Sequence, residues 1–473
     1  MDKFYQIYIG GEFRKTNKVL KVMNPYNNKE VAATYQAGEK ELEEAITKAI
    51  SVQDELTDLP SWRRYDILMQ IAHQMREARY DLARTISLES AKPIRYALGE
   101  TDRAIQTFIV AAEESKRLPG EYIDIEWTAA GEGKEGILRY FPLGLVAGIS
   151  PFNFPLNLAV HKIAPAIAAG CPIILKPSSS TPLSTLMLAG IIDKTDLPKG
   201  AVSILPMKRS TGNKLVTDDR FAMLTFTGSP DVGWQMKNEA GKKKVILELG
   251  GNAGVIVSET ANIEDAVNKC ITGGFAYSGQ VCIHTQRILV HESIFDQFSQ
   301  LFVSKVMKLK NGDPLEEQTD ISAMIDEANA IRVENWVIEA VENGAKLLCG
   351  GQRKKGYFEP TVLSGTDPSM KVCSLEVFGP VVTLDKYADY EQAIKNIDDS
   401  KYGLQAGVFT DEISHMNYAF RHLKVGGIMI NDVPGFRVDH MPYGGVKDSG
   451  QGREGVKYSI HDMLEPRLLV KNR

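Results

Sequence analysis

The sequence predicts an α/β fold with two Rossmann-like parallel-sheet domains and a small β arm. From Gly144 onward, apolar runs typical of strands alternate with amphipathic helical segments, and a second alternating set spans residues 252–442. Such alternation is typical of parallel sheets whose strands are joined by crossover helices. Residues 121–140 break this pattern with a hairpin-like stretch, which predicts the arm.

Hydrophobic periodicity places the elements of the first part of the chain. A hairpin is expected at residues 6–13. The predicted helices span residues 40–53, 61–78, 80–89, 95–117, 156–169, 185–194, 212–216 and 231–240, and the predicted strands span residues 145–150, 172–176, 202–205 and 223–227.

Composition excludes several classes of protein. The 473 residues are 43% hydrophobic and 24% charged, with a net charge of -5, so we expect two or three globular domains and neither nucleic-acid nor membrane binding. No apolar run approaches the roughly 18 residues of a membrane span, and the start of the chain lacks the apolar segment of a signal peptide. The cysteines show no disulfide spacing, which indicates a reducing cytoplasm. They are Cys171, Cys270, Cys282, Cys349 and Cys373.

The segment GGFAYSGQVC, residues 273–282, holds the strongest candidate for a nucleophile. It follows a predicted helix that begins at Ile263 and precedes a β-run at residues 287–290, so Cys282 lies at a glycine-rich turn. Backbone N–H groups at such a turn stabilise a thiolate, which is the reactive form of cysteine. A lone cysteine is more often a small buried residue, and the choice between the two depends on the rest of the chain.

Two upstream segments supply the partners that a nucleophile needs. Glu248 stands near the end of the apolar run VILEL, which two glycines follow, and Asn153 lies in the proline-bracketed turn PFNFP. A nucleophile, a base and an oxyanion donor are the parts that acyl chemistry requires. These three motifs, in this order, resemble the aldehyde dehydrogenase superfamily, in particular its branch of lactaldehyde and non-phosphorylating glyceraldehyde-3-phosphate dehydrogenases. The resemblance covers nearly the whole chain.

The resemblance implies an NAD(P)-dependent enzyme that oxidises an aldehyde to the carboxylic acid. Cys282 would attack the aldehyde, the Asn153 amide and the Cys282 backbone N–H would hold the oxyanion, and hydride would pass to the nicotinamide. Glu248, its pKa raised by burial, would then activate the water that hydrolyses the thioester. The alternatives are transfer of the acyl group to coenzyme A, whose enzymes usually lack this base, and a catalytically silent structural member of the fold.

A second candidate base is His284, two residues past the nucleophile. In an extended segment both side chains would point to the same face. The family uses no histidine there, so Glu248 is the predicted base. The sequence shows no ligand cluster for a catalytic metal.

Three segments are predicted to bind the cofactor. The turn FTGSPDVG joins a strand to a helix whose N-terminus offers donors to a pyrophosphate, and the family carries a similar FTGS turn. In the family the lysine at position 176 contacts the adenosine ribose, and the glutamate and phenylalanine of LEVFGP hold the nicotinamide ribose and abut the ring. The resemblance gives these cofactor residues: Ser150, Phe152, Lys176, Ser179, Gly228, Ser229, Gly233, Leu249, Glu376 and Phe378.

The choice between NAD and NADP depends on Ser179. Enzymes of the family that prefer NAD usually place a glutamate three residues after the lysine, whereas this chain has a serine. A carboxylate there would repel the 2′-phosphate of NADP, and lysine plus serine can accept it. We therefore predict that NADP is accepted or preferred, with NAD as the alternative.

Four further residues fall at family positions that line the aldehyde tunnel: Arg103, Asn157, His161 and Arg437. Guanidinium groups bind carboxylate, phosphate or sulfonate bidentately. We therefore predict a short anionic or strongly polar aldehyde, such as glyceraldehyde 3-phosphate, a sulfonated or phosphonated aldehyde, or succinate semialdehyde. The alternatives are a neutral hydroxyaldehyde such as lactaldehyde, an Arg103 that is solvated on its helix, and an Arg437 that pairs with Asp439 or a distant carboxylate.

The resemblance also divides the chain into domains. Exposed strands need partners, so we expect a homodimer or homotetramer, and an edge strand within the chain is the alternative. The cleft between the two larger domains should hold Glu248 and Cys282. The predicted segments are residues 1–120 and 139–250 for the nucleotide-binding domain, residues 251–445 for the catalytic domain, and residues 121–138 and 446–473 for the oligomerisation arm.

Overall fold

A computed structural model describes residues 4–473. The expectation about a signal peptide rests in part on residues 1–3, which lie outside the described residues. The strands are β1 Phe4–Tyr5, β2 Ile7–Ile9, β3 Glu12–Arg14, β4 Val19–Met23, β5 Glu30–Tyr35, β6 Gly120–Ile123, β7 Lys134–Pro142, β8 Val146–Ile149, β9 Ile173–Lys176, β10 Val202–Ile204, β11 Met223–Thr227, β12 Lys244–Glu248, β13 Gly254–Val257, β14 Arg287–His291, β15 Lys346–Cys349, β16 Arg353–Lys354, β17 Tyr357–Phe358, β18 Thr361–Ser364, β19 Val381–Tyr387, β20 Tyr402–Gly403, β21 Gln405–Phe409, β22 Gly427–Ile430, β23 Val446–Lys447, β24 Gly450–Gln451 and β25 Leu464–Asn472.

The helices confirm those predicted in the first part of the chain, with ends that differ by a few residues, and add the short α2. They are α1 Glu39–Ser51, α2 Gln53–Asp58, α3 Ser61–Glu77, α4 Arg79–Ser90, α5 Ile94–Ser115, α6 Asn157–Ala169, α7 Leu183–Ile192, α8 Arg209–Thr217, α9 Pro230–Glu239, α10 Ile263–Phe275, α11 Phe295–Val306, α12 Glu327–Glu342, α13 Lys371–Ser374, α14 Tyr390–Asp398, α15 Ile413–His422 and α16 Val456–Asp462.

The first domain is built on an eight-stranded sheet of order β24-β12-β11-β8-β9-β10-β2-β3. Its inner strands, β12 to β10 in this order, are parallel, and short antiparallel strands close both edges. The direction of winding reverses between β8 and β11, and ligands bind at the carboxyl ends of strands at such a reversal. Asn153 follows β8, Gly228 follows β11 and Glu248 ends β12, so all three lie at this edge.

Buried apolar side chains cover both faces of this sheet. Successive strand residues point to opposite faces: Ile246 of β12 packs with helices α3 to α7, and Leu247 packs with α1 and α8. This explains the continuous apolar runs of the inner strands. Helix α6 is buried along its whole length, which fixes the residues at its N-terminus close to the sheet edge.

The second domain is built on a seven-stranded sheet of order β15-β18-β19-β14-β13-β21-β22. All of its neighbouring strands are parallel except β15. The loops before three of these strands face the first domain: Gly251 precedes β13, Cys282 precedes β14 and Glu376 precedes β19. The site is therefore formed between the carboxyl edge of one sheet and the amino edge of the other.

A third sheet, of order β25-β7-β6, forms the predicted arm. Strand β25 pairs with β7 along its length, from Leu464 opposite Pro142 to Asn472 opposite Lys134. The two arm segments thus pair with each other within the chain. Within residues 4–473, the outer edges of β6 and β25 have no strand partner.

The predicted boundary of the arm is wrong at residues 446–462. There β24 pairs with β12 at the edge of the first sheet, and α16 packs against α5 and α6. The physical reason is that Val456 and Ile460 of α16 are apolar and fill the core of the first domain. The other domain boundaries stay predictions.

The structure bears on the expectations about membrane spans and disulfide bonds. Within residues 4–473, no helix combines the length and the apolar composition that crossing a membrane requires. All five cysteines are free thiols. Location in a reducing cytoplasm stays a prediction.

Candidate active site

A cleft of about 560 Å³ lies between the two parallel-sheet domains. The first domain lines it with residues at the carboxyl ends of its strands, including Asn153 and Glu248. The second domain lines it with the loops that carry Cys282 and Glu376. The cleft therefore holds Glu248 and Cys282 together, as the sequence predicts.

Cys282 lies in a turn between α10 and β14. Two residues shortly before it, Tyr277 and Ser278, adopt left-handed backbone conformations with φ of 48° and 54°, which are uncommon for residues with a side chain. Cys282 is partly exposed to the cleft, yet burial raises the pKa of its thiol to about 11. A hydrogen bond with Tyr443 and the charge of Arg437 oppose this rise. Side chains, rather than the predicted backbone N–H groups of the turn, favour the thiolate.

Asn153 is held against the loop of the nucleophile. Its Nδ2 donates to the carbonyl oxygen of Gln280 at 3.0 Å. The backbone carbonyl oxygen of Asn153 accepts from Nζ of Lys92 at 2.6 Å, and Lys92 forms a fully buried ion pair with Glu100. Asn153 is therefore fixed beside the cysteine loop, with one amide N–H that makes no hydrogen bond within residues 4–473.

Glu248 is a buried carboxyl group whose two oxygens have no hydrogen-bond partner among the described residues. Its Oε1 lies over Gly444, where a Cβ atom would come within 2.6 Å. Burial raises the pKa of Glu248 well above its usual value, and the charge of Glu454 adds to the rise. A carboxyl group with free oxygens and a raised pKa is suited to accept a proton from water.

Three charged side chains form a buried network next to Glu248. Lys162 Nζ lies 3.2 Å from Glu454 Oε1 and 2.8 Å from Thr227 Oγ1. Arg437 Nη2 donates to Glu454 Oε2 at 3.0 Å. Burial opposes the ionisation of Glu454, but the charges of Lys162 and Arg437 outweigh it and lower its pKa. Glu454 therefore stays ionised at a pH where Glu248 is protonated.

Two of the predicted substrate residues, Arg103 and His161, contact the buried carboxylate Asp439. Arg103 Nη2 donates to Asp439 Oδ1 at 2.7 Å, and His161 Nε2 lies 2.8 Å from the same oxygen. Burial opposes the ionisation of Asp439, but His161 and Arg103 outweigh it and lower its pKa. With Arg437 bound to Glu454, both arginines have carboxylate partners, as the alternative interpretation expected for Arg437.

Several polar atoms at this end of the site have no partner. Asn157 Nδ2, His161 Nδ1 and Arg437 Nε are buried and make no hydrogen bond to any described residue. Buried polar groups are normally hydrogen-bonded. These atoms therefore mark the place where a polar ligand or water would bind.

The predicted pyrophosphate turn joins β11 to α9. Gly228 and Ser229 line the cleft directly before the first turn of this helix. A Cβ at Gly233 would lie 2.4 Å from Leu249 Cδ2, so the helix can approach Leu249 only with glycine at that position. The Ser150 hydroxyl is buried nearby without a partner among the described residues. This arrangement fits a nucleotide phosphate.

Lys176 and Ser179 lie at the carboxyl end of β9. Burial lowers the pKa of Lys176, and no charged neighbour contributes to the shift among the described residues. The lysine chain packs over Gly212, where a Cβ would come within 2.9 Å of Cδ. A lysine that lacks a carboxylate partner is suited to the ribose or the 2′-phosphate of a nucleotide.

Glu376 and Phe378 occupy the opposite wall of the cleft. Glu376 Oε1 accepts from the Gly251 backbone N–H at 3.0 Å, and burial raises the pKa of Glu376 to about 7. Phe378 has a left-handed backbone with φ of 46°, and its ring packs edge-on against Phe152 with centroids 5.9 Å apart. Strained backbone of this kind is typical of functional positions.

His284 does not pair with the nucleophile. The residues after Cys282 form a turn instead of an extended segment, and His284 Nε2 lies 2.8 Å from the Gly274 carbonyl oxygen. Burial lowers the pKa of His284 to about 4. Within residues 4–473, no three metal-binding side chains converge on one point.

The sequence analysis assigned no role to Lys162, Tyr443 and Glu454, and it named Asp439 only as a possible partner of Arg437. A signal existed for Lys162, because a lysine inside an otherwise apolar helix is rarely buried without a partner. Tyr443 lies in the segment RVDHMPYGG, in which the arginine was the candidate residue. No sequence pattern around Glu454 indicates a functional residue.

Two Rossmann-like domains around such a cleft are the architecture of a nucleotide-dependent oxidoreductase. The sequence model of the aldehyde dehydrogenase family matches residues 13–469. The chain belongs to this family and is an NAD(P)-dependent aldehyde dehydrogenase, which confirms the predicted family.

Individual relatives support the predicted branch and fold class. The chain is 41% identical to 3-sulfolactaldehyde dehydrogenase from Priestia aryabhattai over 472 residues, 99% of this chain and 98% of the relative. It is similar to the crystal structure of aldehyde dehydrogenase 21 from Physcomitrella patens in complex with the reaction product succinate, with a TM-score of 0.98, 45% identity and coverage of 100% and 99% of the two chains. It is also similar to glyceraldehyde-3-phosphate dehydrogenase GapN from Methanocaldococcus jannaschii complexed with NADP, with a TM-score of 0.92, 38% identity and coverage of 97% and 100%.

Proposed function

We propose that the protein oxidises a short, anionic or strongly polar aldehyde to the carboxylic acid, with Cys282 as the nucleophile. The observation that carries the proposal is the charge at the aldehyde end of the cleft. Three cations contact two buried carboxylates there, and one of the cations, Arg437, has a buried Nε without a hydrogen-bond partner among the described residues. The cations are Arg103, Lys162 and Arg437, and the carboxylates are Asp439 and Glu454.

An anionic substrate group would complete this arrangement. A buried charge is costly unless it is paired, so a carboxylate, phosphate or sulfonate is favoured over an apolar tail. The unpartnered Arg437 Nε and Asn157 Nδ2 supply donors for it. Two relatives support this choice: one is named for a sulfonated aldehyde, and the structure of another contains succinate.

Each chemical step has a residue suited to it. The Cys282 thiolate attacks the aldehyde carbon, and the free N–H of the Asn153 amide donates to the oxyanion that forms. When bound, the nicotinamide accepts the hydride that leaves this carbon. Glu248 then takes a proton from a water molecule, which attacks the thioester and releases the acid and the thiolate.

The proposal extends to the cofactor, for which NADP is favoured. Lys176 and Ser179 would hold the ribose and its 2′-phosphate, and no carboxylate pairs with this lysine among the described residues. The nicotinamide end would be held by Glu376 and Phe378. The diphosphate would be held at the turn of Gly228 and Ser229.

The arm supports a further proposal about assembly. Strand β25 exposes three successive apolar residues, Leu468, Leu469 and Val470, which are 48%, 56% and 49% exposed. Its outer edge has no strand partner within residues 4–473. A long exposed edge of this kind needs a partner, so a homodimer or homotetramer is expected.

The test is a set of initial rates on pairs of aldehydes that share a carbon skeleton and differ in charge. The pairs are succinate semialdehyde with butanal, glyceraldehyde 3-phosphate with glyceraldehyde, and 3-sulfolactaldehyde with lactaldehyde, with Cys282→Ala as the blank. The proposal predicts that kcat/KM is at least about tenfold higher for the anionic member of one or more pairs, since a hydrogen bond to a charged group contributes that much. Equal rates within every pair would contradict it. Turnover that occurs only with added coenzyme A would show that the acyl group is transferred to coenzyme A instead of being hydrolysed.

A further inference from the structure

One contact of the nucleophile has no role in the reaction described above. The hydroxyl oxygen of Tyr443 lies 3.1 Å from Sγ of Cys282. Tyr443 is buried, with 3% of its surface exposed, and its side chain forms part of the wall around the thiol. A thiolate has no proton to donate, so the hydroxyl is the donor whenever the sulfur is ionised.

The position of Tyr443 is fixed from two directions. Its backbone N–H donates to the Glu454 carbonyl oxygen at 2.9 Å, and the Glu454 N–H donates back to the Tyr443 carbonyl oxygen at 2.6 Å. The Arg437 guanidinium carbon lies 3.7 Å from the centroid of the Tyr443 ring. This is well within the roughly 6 Å at which a cation and a ring attract each other.

We propose that Tyr443 is a further catalytic residue, whose hydroxyl donates a hydrogen bond to the Cys282 thiolate and increases the fraction of reactive sulfur. The Arg437 cation on the face of the ring draws electron density from it and makes the hydroxyl a stronger donor. The inference rests on the proposed role of Cys282 as the nucleophile.

The ionisation behaviour of both groups agrees with this geometry. Burial raises the pKa of Tyr443 well above its usual value, so its hydroxyl keeps its proton at any working pH. Burial raises the pKa of Cys282 to about 11, and the hydrogen bond from Tyr443 is the largest influence in the opposite direction. For a thiol whose pKa lies above neutral pH, a lower pKa increases the ionised fraction more than it reduces the nucleophilicity of the thiolate.

The test measures the pKa of Cys282 directly, through the pH dependence of its alkylation by iodoacetamide in the cofactor-free enzyme, followed by mass spectrometry of the cysteine peptide. In Tyr443→Phe the pKa should rise by about one to two units, because a hydrogen bond to a charged acceptor is lost. At a fixed pH below the pKa, this rise appears as alkylation that is about ten- to a hundredfold slower. Tyr387→Phe is the matched control. It removes a hydroxyl that lies 3.4 Å from the Val257 carbonyl oxygen in the second domain, and it should leave the pKa of Cys282 unchanged.

A second measurement excludes a change of packing as the cause. Fluorotyrosine at position 443 is a stronger donor of nearly the same shape, and it should lower the pKa of Cys282 below that of the natural enzyme. An unchanged pKa in Tyr443→Phe would overturn the proposal, and so would a fluorotyrosine variant that does not lower it. Alkylation requires neither aldehyde nor cofactor, so the result is independent of the proposed substrate.

Discussion

Arg103 and Asp439, which are 336 positions apart in the chain, form an ion pair with Nη2 and Oδ1 separated by 2.7 Å. Asp439 also holds His161, so the pair orients the arginine at the aldehyde end of the site. The Arg103 side chain is 30% exposed, whereas that of Arg437 is 5% exposed. We therefore expect Arg103 to contact the substrate through its exposed guanidinium group and Arg437 through its unpartnered Nε.

Replacing Arg103 should affect charged substrates selectively. Arg103→Met removes the exposed cation, so KM for succinate semialdehyde or another anionic aldehyde should rise about tenfold or more, while KM for butanal changes little. The measurement is the ratio of the two KM values. Arg79→Met is the control, because Arg79 makes a similar pair with Asp102 on the surface, with Nη2 and Oδ2 at 2.6 Å. Equal changes in KM for both aldehydes would show that Arg103 does not recognise the charge of the substrate.

Ser179 should control the choice of cofactor. In Ser179→Glu a carboxylate would stand next to the expected 2′-phosphate, and like charges in contact cost several kcal/mol. The ratio of kcat/KM for NADP to that for NAD should fall by about tenfold or more. Ser180→Glu adds the same charge at the next, exposed position and should leave the ratio nearly unchanged. A ratio that does not respond to Ser179→Glu would show that this loop does not contact the phosphate.

The pH dependence of thioester hydrolysis should report the pKa of Glu248. Hydrolysis needs the ionised carboxylate, so its rate falls as the pH drops through this pKa, which burial and Glu454 raise. Glu454→Gln removes the negative charge that helps to raise the pKa of Glu248. The acidic limb of the rate–pH profile should therefore move to lower pH. The measurement is the hydrolysis rate of the acyl-enzyme against pH, with Glu465→Gln on the exposed strand β25 as the control. A limb that stays in place or moves to higher pH would contradict the assigned coupling.

The sequence predicted the parts of the site that lie at strand ends. Asn153, Glu248 and Cys282 each stand in a short segment where an apolar run meets a turn, and such segments are recognisable locally. The helices were predicted for a similar reason, because the spacing of apolar residues along a helix can be recognised within a short segment of sequence. Residues 446–462 were misassigned because β24 is a two-residue strand without a periodic pattern.

The contacts that tune the site could not be predicted, because they join distant parts of the chain. Arg103 and Asp439 are 336 positions apart, and Cys282 and Tyr443 are 161 positions apart. The sequence named charged and polar residues as candidates for substrate binding, which stays a prediction. It could not show that Asp439 and Glu454 partner the two arginines, because both pairs form only when the chain folds.

The central claim is that Cys282 carries the acyl group that Glu248 helps to release, and a trapped intermediate tests it most directly. Glu248→Gln keeps the shape of the side chain but cannot accept a proton from water, so the thioester should accumulate. The variant would be mixed with succinate semialdehyde and NADP, and its peptides weighed by mass spectrometry. We predict a succinyl group on Cys282, close to one per chain, with a burst of reduced cofactor of equal size and slow turnover afterwards. A Glu248→Gln enzyme that turns over at the normal rate, or that carries the acyl group on another residue, would contradict the account.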